Sequence, residues 1–421
     1  MIAPPSDLPI DENPRVVVIG GGPAGATAAT LIAQRGVRVE LFEREKFPRF
    51  HIGESFIPHT YFPLERLGML DKLKGSRFVK KRSVQFVNQH GKPSEPFYFL
   101  DHNPHESSQT WQVLRSEFDQ LMLDNAREHG VVVHEGAHVT EVLFDGTRAR
   151  GIRVKGDGGQ TREVHAEVVV DASGMSTVIM DRLGLRDWDS ELKKAAIWTY
   201  YEDAFRDAGK DEGMTVVLQT KDRKGWFWYI PLQDDVVSVG VVAGYEYLLK
   251  DRGTKDHEAI FAAEVERCPG LKPRLDGAKR VAPFRVLKEF SYKARQVAGD
   301  GWVLVGDAFG FLDPLYSSGV LLALKSGQLA ADAIVDALAA GDTTGEQLGH
   351  WQADFVRGMD RMRRLVVAYY EGFSFGHFVK RFPHLKGYIT DLLVGDLFDE
   401  KVDAVWEPME ELRKEMAESA G

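Results

Sequence analysis

The chain has 421 residues, 43% of them hydrophobic and 28% charged, with a formal net charge of −10. That length allows two or three domains around a large core, and that charge argues against nucleic acid or an anionic membrane as a main partner. A single cysteine, Cys268, rules out an intrachain disulfide. Met1 to Asn13 is polar and proline-containing, without the apolar core of a signal peptide, and no uncharged apolar run approaches the length of a bilayer span. The expected location is the cytoplasm.

Arg15–Ile19 reads as a buried strand, Ala26–Arg35 as a helix and Val37–Phe42 as the next strand. A loop with Pro48, Gly53 and Pro58 leads to a predicted helix over Leu64–Leu73. Trp111–Leu114 predicts a strand, and Ser116 with Asp119 predicts the cap of a helix reaching about Glu128. Short strands separated by turns such as Gly156-Asp157-Gly158-Gly159 follow from Val131 to Val170, closing at Asp171-Ala172-Ser173-Gly174. Ala195–Tyr200, Met214–Gln219, Gly225–Leu232 and Val236–Val242 alternate like antiparallel strands. Trp302–Val305 returns to a buried strand, and a helix is expected over Val320–Ala339. The remainder reads as amphipathic helices, its aromatics at helical spacing being ordinary core. The expected domains are 1–190 together with 291–339, an inserted sheet over 191–290, and a helical region over 340–421.

Gly20, Gly22 and Gly25 form Gly-x-Gly-x-x-Gly directly between a strand and a helix, the context that dinucleotide binding requires. Glu43 ends the second strand, where a carboxylate can meet the ribose of an adenosine. Pro23-Ala24-Gly25 and the late Gly306-Asp307 resemble the two ends of the FAD site in the flavin hydroxylase superfamily. That resemblance implies a Rossmann-like α/β FAD domain with an inserted antiparallel sheet. It places Ala24, Ser55, Arg115, Asp307 and Val320 beside the cofactor. Taken alone, Arg115 could be a surface ion pair and Asp307 an ordinary turn. No second glycine motif follows a strand, so no separate NAD(P)H domain is visible.

Trp226-Phe227-Trp228-Tyr229-Ile230-Pro231 puts Trp226, Trp228 and Ile230 on one strand face. Two indoles there are usually core. With Gly53-Glu54-Ser55, the segment Gly306–Gly319 and a lysine after the first helix pair, the pattern resembles flavin-dependent halogenases, in particular those acting on phenols and pyrroles. In that family reduced FAD (FADH2) and oxygen give a C4a-hydroperoxide, which converts chloride or bromide into hypohalous acid. A lysine passes the halogen to an electron-rich ring, free or tethered to a carrier protein. A separate flavin reductase supplies FADH2. By resemblance Ser318 and Gly319 hold the halide, and Trp226 and Trp228 wall the substrate away from the flavin.

Lys81 matches the catalytic lysine, with Lys80 a rival on the opposite strand face and Ser83 standing where glycine is usual. A Lys-Lys-Arg run is by default a solvated face. Tyr316 occupies the position where tryptophan halogenases carry a glutamate, which argues for an activated ring rather than tryptophan. The alternatives are an FAD-dependent aromatic hydroxylase, a geranylgeranyl-reductase-type double-bond reductase, and a halogenase-like protein that binds FAD without catalysis. His102 and His105 have no cysteine companions, so no metal site is expected.

Overall fold

The computed structural model describes residues 14–420, with side chains through 415, so the polar leader Met1–Asn13 lies outside it. Val16–Ile19 lies at the centre of a six-stranded sheet, flanked in parallel by Val39–Glu43 and Val168–Asp171. Val132–Glu135 and Trp302–Leu304 extend it in parallel on either side, and Ala298–Gly299 closes one edge antiparallel. All four residues of Val16–Ile19 are buried, as expected for a strand covered on both faces.

Helix Pro23–Ala33 starts with Gly22 at its N-cap and Pro23 in the first position, where the missing N–H costs nothing. It packs on the long helix Gly319–Ala340. The approach is close: a Cβ on Gly327 would stand 2.7 Å from the Ala24 carbonyl oxygen. The two glycine-bearing ends of the chain are thereby held together.

The second sheet is antiparallel through Lys194–Glu202, Val237–Gly244, Gly225–Pro231 and Thr215–Gln219. It does not begin at residue 191. Ser83–Val87 adds in parallel to Thr215–Gln219, and Phe97–Tyr98 pairs beyond it. The 1–190 segment therefore lends two strands to the inserted sheet, because alternating runs that distant in sequence give no hint of their partner. Phe227 and Tyr229 face a separate core with Ile260 and Phe261, while Trp226, Trp228 and Ile230 face the FAD domain.

Local differences have local causes. The helix expected over Leu64–Leu73 is two short ones, Tyr61–Arg66 and Leu70–Lys74, split at Gly68 with φ +70°. Helix Arg115–Glu128 starts earlier than the expected Ser116 cap: its N-cap is Leu114, which has no side-chain acceptor, and Asp119 lies inside the helix and binds Arg115. Among the described residues no helix is long and apolar enough to cross a membrane.

Within the C-terminal region, Arg361 on helix Gln352–Tyr370 ties down the segments that follow it. Its guanidinium grips Asp403 at 2.8 and 2.5 Å and donates to the Leu397 carbonyl at 2.8 Å. Arg361→Met leaves that carbonyl and carboxylate without their charged donor. It is expected to lower stability by about 1.5–3 kcal/mol in urea unfolding, with faster protease cleavage beyond residue 394.

Candidate active site

A single continuous cleft runs from the glycine turn to the tryptophan strand. Gly20, Gly22, Ala24, Glu43, Ser55, Arg115, Asp307, Gly319, Val320, Trp226 and Trp228 all line it. The glycines are required by close approach: Cβ atoms on Gly20 and Gly25 would stand 2.4 Å from Ala172 O and 2.0 Å from Gly20 O. Glu43 pins this turn, its two oxygens accepting from Gly21 N at 2.8 Å and Glu45 N at 2.9 Å, with lone pairs left for ribose hydroxyls. A tight glycine turn opening a helix N-terminus onto a long cleft is the arrangement a dinucleotide needs, so these residues fit FAD.

Arg115 is no surface ion pair. It holds Asp119 at 2.8 and 3.0 Å and donates to the Ile52 and Gly53 carbonyls at 2.5 and 3.3 Å, bracing the loop that carries Glu54 and Ser55. Asp307 sits at the cleft wall, its carboxyl raised to about 6 by burial although the Arg115 charge opposes this.

Ser317, at φ +55°, turns the chain into helix Gly319–Ala340, with Ser318 at the N-cap. The first N–H groups of a helix have no intrahelical acceptor and carry its positive end. A small void lined by Asp307, Ser318 and Gly319 adjoins them. The turn can hold an anion beside the cofactor channel.

The strand Val79–Lys81 pairs with Thr110–Gln112, which sends Lys80 to solvent and Lys81 inward. Lys81 is 2% exposed. Its ammonium donates to Ser55 Oγ at 2.8 Å and to Phe56 O at 2.9 Å and lies 5.7 Å from the centre of the Phe99 ring. Burial alone drives its pKa down from the usual lysine range to about 7. Ser55 Oγ is 3.0 Å from Thr215 Oγ1, which also accepts from Gln112 Nε2 at 2.7 Å. Ser55 and Thr215 line the cleft and Lys81 lies behind them. Ser83 is fully buried with its hydroxyl unpartnered.

The indole wall has three members. Trp198 and Trp228 both pair with Gly240 across the sheet, and a Cβ there would collide with the Trp228 ring at 2.2 Å. Their rings stand 6.3 Å apart, as do those of Trp226 and Trp228. Trp226 Nε1 donates to Tyr370 OH at 3.0 Å, which donates to Asp313 at 3.0 Å. Trp228 Nε1 donates to Ser238 at 3.1 Å.

Sequence reading missed Trp198, Thr215, Gln112, Tyr370 and Asp313 as site components. For Gln112 the sequence carries a signal, an amide inside an apolar strand run. Glu54 had been quoted only as part of a motif. It lies at the cleft wall with Oε1 accepting from Tyr200 OH at 2.5 Å, Oε2 unpartnered and its pKa raised to about 7 by burial. Tyr316 is buried with its hydroxyl unpartnered.

A glycine-walled flavin channel opening onto paired tryptophans has clear relatives. The tryptophan halogenase family model matches residues 100–373, and a model of FAD-dependent oxidoreductases matches 15–181. The chain belongs to the flavin-dependent halogenases. It is 31% identical to a 1H-pyrrole-2-carbonyl-[peptidyl-carrier protein] chlorinase of Pseudomonas fluorescens, over 96% of this chain and 93% of that protein. It is 32% identical to a tryptophan 2-halogenase of Chondromyces crocatus, over 86% of this chain and 69% of the other. Among solved structures, a flavin-dependent brominase superposes with TM-score 0.83 at 30% identity, covering 97% and 99% of the two chains. A myxobacterial chondrochloren halogenase superposes at 0.76 with 36% identity, covering 84% and 82%. This halogenase is an FAD-dependent halogenating enzyme with a Rossmann-like FAD domain and an inserted sheet.

Two predictions follow from this geometry. In the halogenase, Gly25→Val drives a side chain into the Gly20 carbonyl, so the purified variant is expected to lose flavin absorbance and its FAD-induced rise in melting temperature. Lys81→Met tests the buried amine. Its folded pKa of about 7 lies below the unfolded value, so the unfolded chain binds more protons between the two and wild-type stability rises with pH across that window. The stability of wild type relative to Lys81→Met is therefore expected to rise from pH 7 toward pH 10 in urea titrations; a flat difference would show the amine to be solvated.

Proposed function

We propose that this halogenase uses reduced FAD, oxygen and chloride or bromide to halogenate an electron-rich aromatic ring of phenol or pyrrole type, with the halogen passed through Lys81. The carrying observation is the Lys81 amine, buried without a carboxylate partner and brought near neutrality just behind the cleft wall. Bound reduced FAD would supply the oxidising equivalent from oxygen that turns halide into hypohalous acid. The amide groups of Ser318 and Gly319 would hold the halide beside it. Trp226 and Trp228 would exclude the organic substrate from the flavin side, so that only a small oxidant passes to Lys81. As ammonium, Lys81 can orient hypohalous acid by a hydrogen bond; as free amine, it can carry the halogen on nitrogen.

The ring is either free or tethered to a carrier protein. Full-length similarity to a carrier-protein pyrrole chlorinase and to a carrier-protein pyrrole brominase of Pseudoalteromonas luteoviolacea supports the tethered form. Tyr316, standing where a glutamate base would be needed for a less activated ring, supports a phenol or pyrrole. A separate reductase would supply the reduced flavin, and the cytoplasm is the fitting compartment for that exchange.

The test is mass spectrometry of products from free and carrier-bound phenols and pyrroles, with FAD, a reductase, NADH, oxygen and either halide. Wild type is expected to give a halogen isotope pattern, and Lys81→Ala to lose it by at least about a hundredfold while still binding FAD. Oxygen insertion in place of halogen would establish the hydroxylase reading instead.

A further inference from the structure

The amine of Lys81 does not itself face the cleft. Between them stand two hydroxyls, Ser55 and Thr215, and both line the cleft surface. The contacts are continuous: Lys81 Nζ to Ser55 Oγ at 2.8 Å, then Ser55 Oγ to Thr215 Oγ1 at 3.0 Å. Gln112 fixes the far end, its amide donating to Thr215 Oγ1 at 2.7 Å and to Gly213 O at 2.9 Å. All four side chains are at least nine-tenths buried.

We infer that Ser55 and Thr215 form a two-hydroxyl wire that moves a proton between Lys81 and the cleft, and so sets when the amine is free. This rests on the reading of Lys81 as the halogen-transferring group. Hydrogen-bond counting supports the direction. Each hydroxyl has one proton to donate and two lone pairs. With Lys81 charged, Ser55 accepts from Nζ and donates to Thr215; Thr215 then accepts from both Ser55 and Gln112, and its own proton can point only away from them. With Lys81 neutral the order reverses, Thr215 donating to Ser55 and Ser55 to the amine lone pair. Gln112 donates in both states, so its contact survives the reversal.

The step balances. Nζ–H passes its proton to Ser55 Oγ as Ser55 passes its own to Thr215, and Thr215 passes its own to a water in the cleft. The product is a free amine and a protonated water, with both hydroxyls restored in reversed orientation. The amine can then take halogen from hypohalous acid: an N–X bond forms, the O–X bond breaks, and the displaced proton leaves with the oxygen as water. Neighbouring charges do not short-circuit the path. Glu54 is turned to Tyr200, Arg115 is held by Asp119 and the Ile52 and Gly53 carbonyls, and Phe99 presents a ring to the amine.

Thr215→Val keeps the shape and the Lys81–Ser55 contact but cuts the wire, and Thr215→Ser restores it. Two measurements are needed. In flavin-free protein with 15N-labelled lysine, exchange of the Lys81 Nζ protons with solvent is expected to slow roughly tenfold in Thr215→Val and to recover in Thr215→Ser. In the complete system, organic halogenation is expected to fall roughly tenfold to a hundredfold in Thr215→Val, with an altered pH profile and a larger solvent isotope effect. Ser55→Ala is expected to slow Lys81 proton exchange as Thr215→Val does.

The outcomes separate cleanly. If Lys81→Ala abolishes product while Thr215→Val keeps wild-type exchange, pH profile and isotope effect, the wire is wrong and Lys81 stands. If Lys81→Ala still halogenates, the transfer reading fails and the wire fails with it. If Thr215→Val proves misfolded, wild-type exchange rates in Thr215→Ser and Ser55→Thr remain expected under the wire. Exchange equally slowed in these hydroxyl-bearing variants would overturn it.

Discussion

A primary amine held away from water and given only neutral partners is costly, since burial disfavours the charged form and no counter-charge repays it. The fold accepts this at Lys81. A two-residue alternation on Val79–Lys81 turns Lys80 out and Lys81 in, and pairing with Thr110–Gln112 locks that register. The loop carrying Ser55 and Phe56, which supply both acceptors, is braced by Arg115 and Asp119. The buried ion pair thus acts on the lysine through the loop it braces, fixing geometry without contacting the amine.

The indole wall depends on a different constraint, the absence of a side chain at Gly240. Trp198 and Trp228 approach that residue from the strands on either side, and any Cβ there would occupy the ring position. Trp226 is held from outside the sheet, by Tyr370 at the end of helix Gln352–Tyr370 and through it by Asp313. Asp313 belongs to the same segment as the Ser317–Gly319 turn. The wall, the Ser317–Gly319 turn and the helix carrying Tyr370 are consequently linked by hydrogen bonds.

Features encoded by short-range pattern were legible in the sequence. The glycine turn and the paired-tryptophan strand follow from spacing alone, as does the opposite facing of Lys80 and Lys81, but which of the two turns inward needs the register of the partner strand. What could not be read depends on residues brought together across long separations. Thr215 meets Ser55 across 160 residues, and Tyr370 meets Trp226 across 144. Ser83–Val87 joins a sheet whose other main strands begin at residue 194, because parallel addition leaves no turn signal to announce it. Asp119 looked like a cap because capping residues and buried ion-pair partners are the same residue types.

Besides Glu43 and Glu45 at the glycine-turn end, three buried acids line or adjoin the cleft, and each has partners other than Lys81. Glu54 takes the Tyr200 hydroxyl, Asp313 takes Tyr370 and the Leu315 amide, and Asp307 faces the Arg115 side. Burial raises all three, to about 7, 6 and 6. An opposite charge within contact distance would raise a lysine pKa by roughly 1–3, enough to return Lys81 to a permanent ammonium at neutral pH. Keeping the carboxylates on other partners is therefore what leaves both forms of the amine accessible. Tyr316 fits the same logic: a glutamate at that point of the turn would add another buried acid, whereas a buried phenol adds none. The arrangement leaves the amine's charge to solvent exchange through its neutral neighbours rather than to a fixed counter-ion.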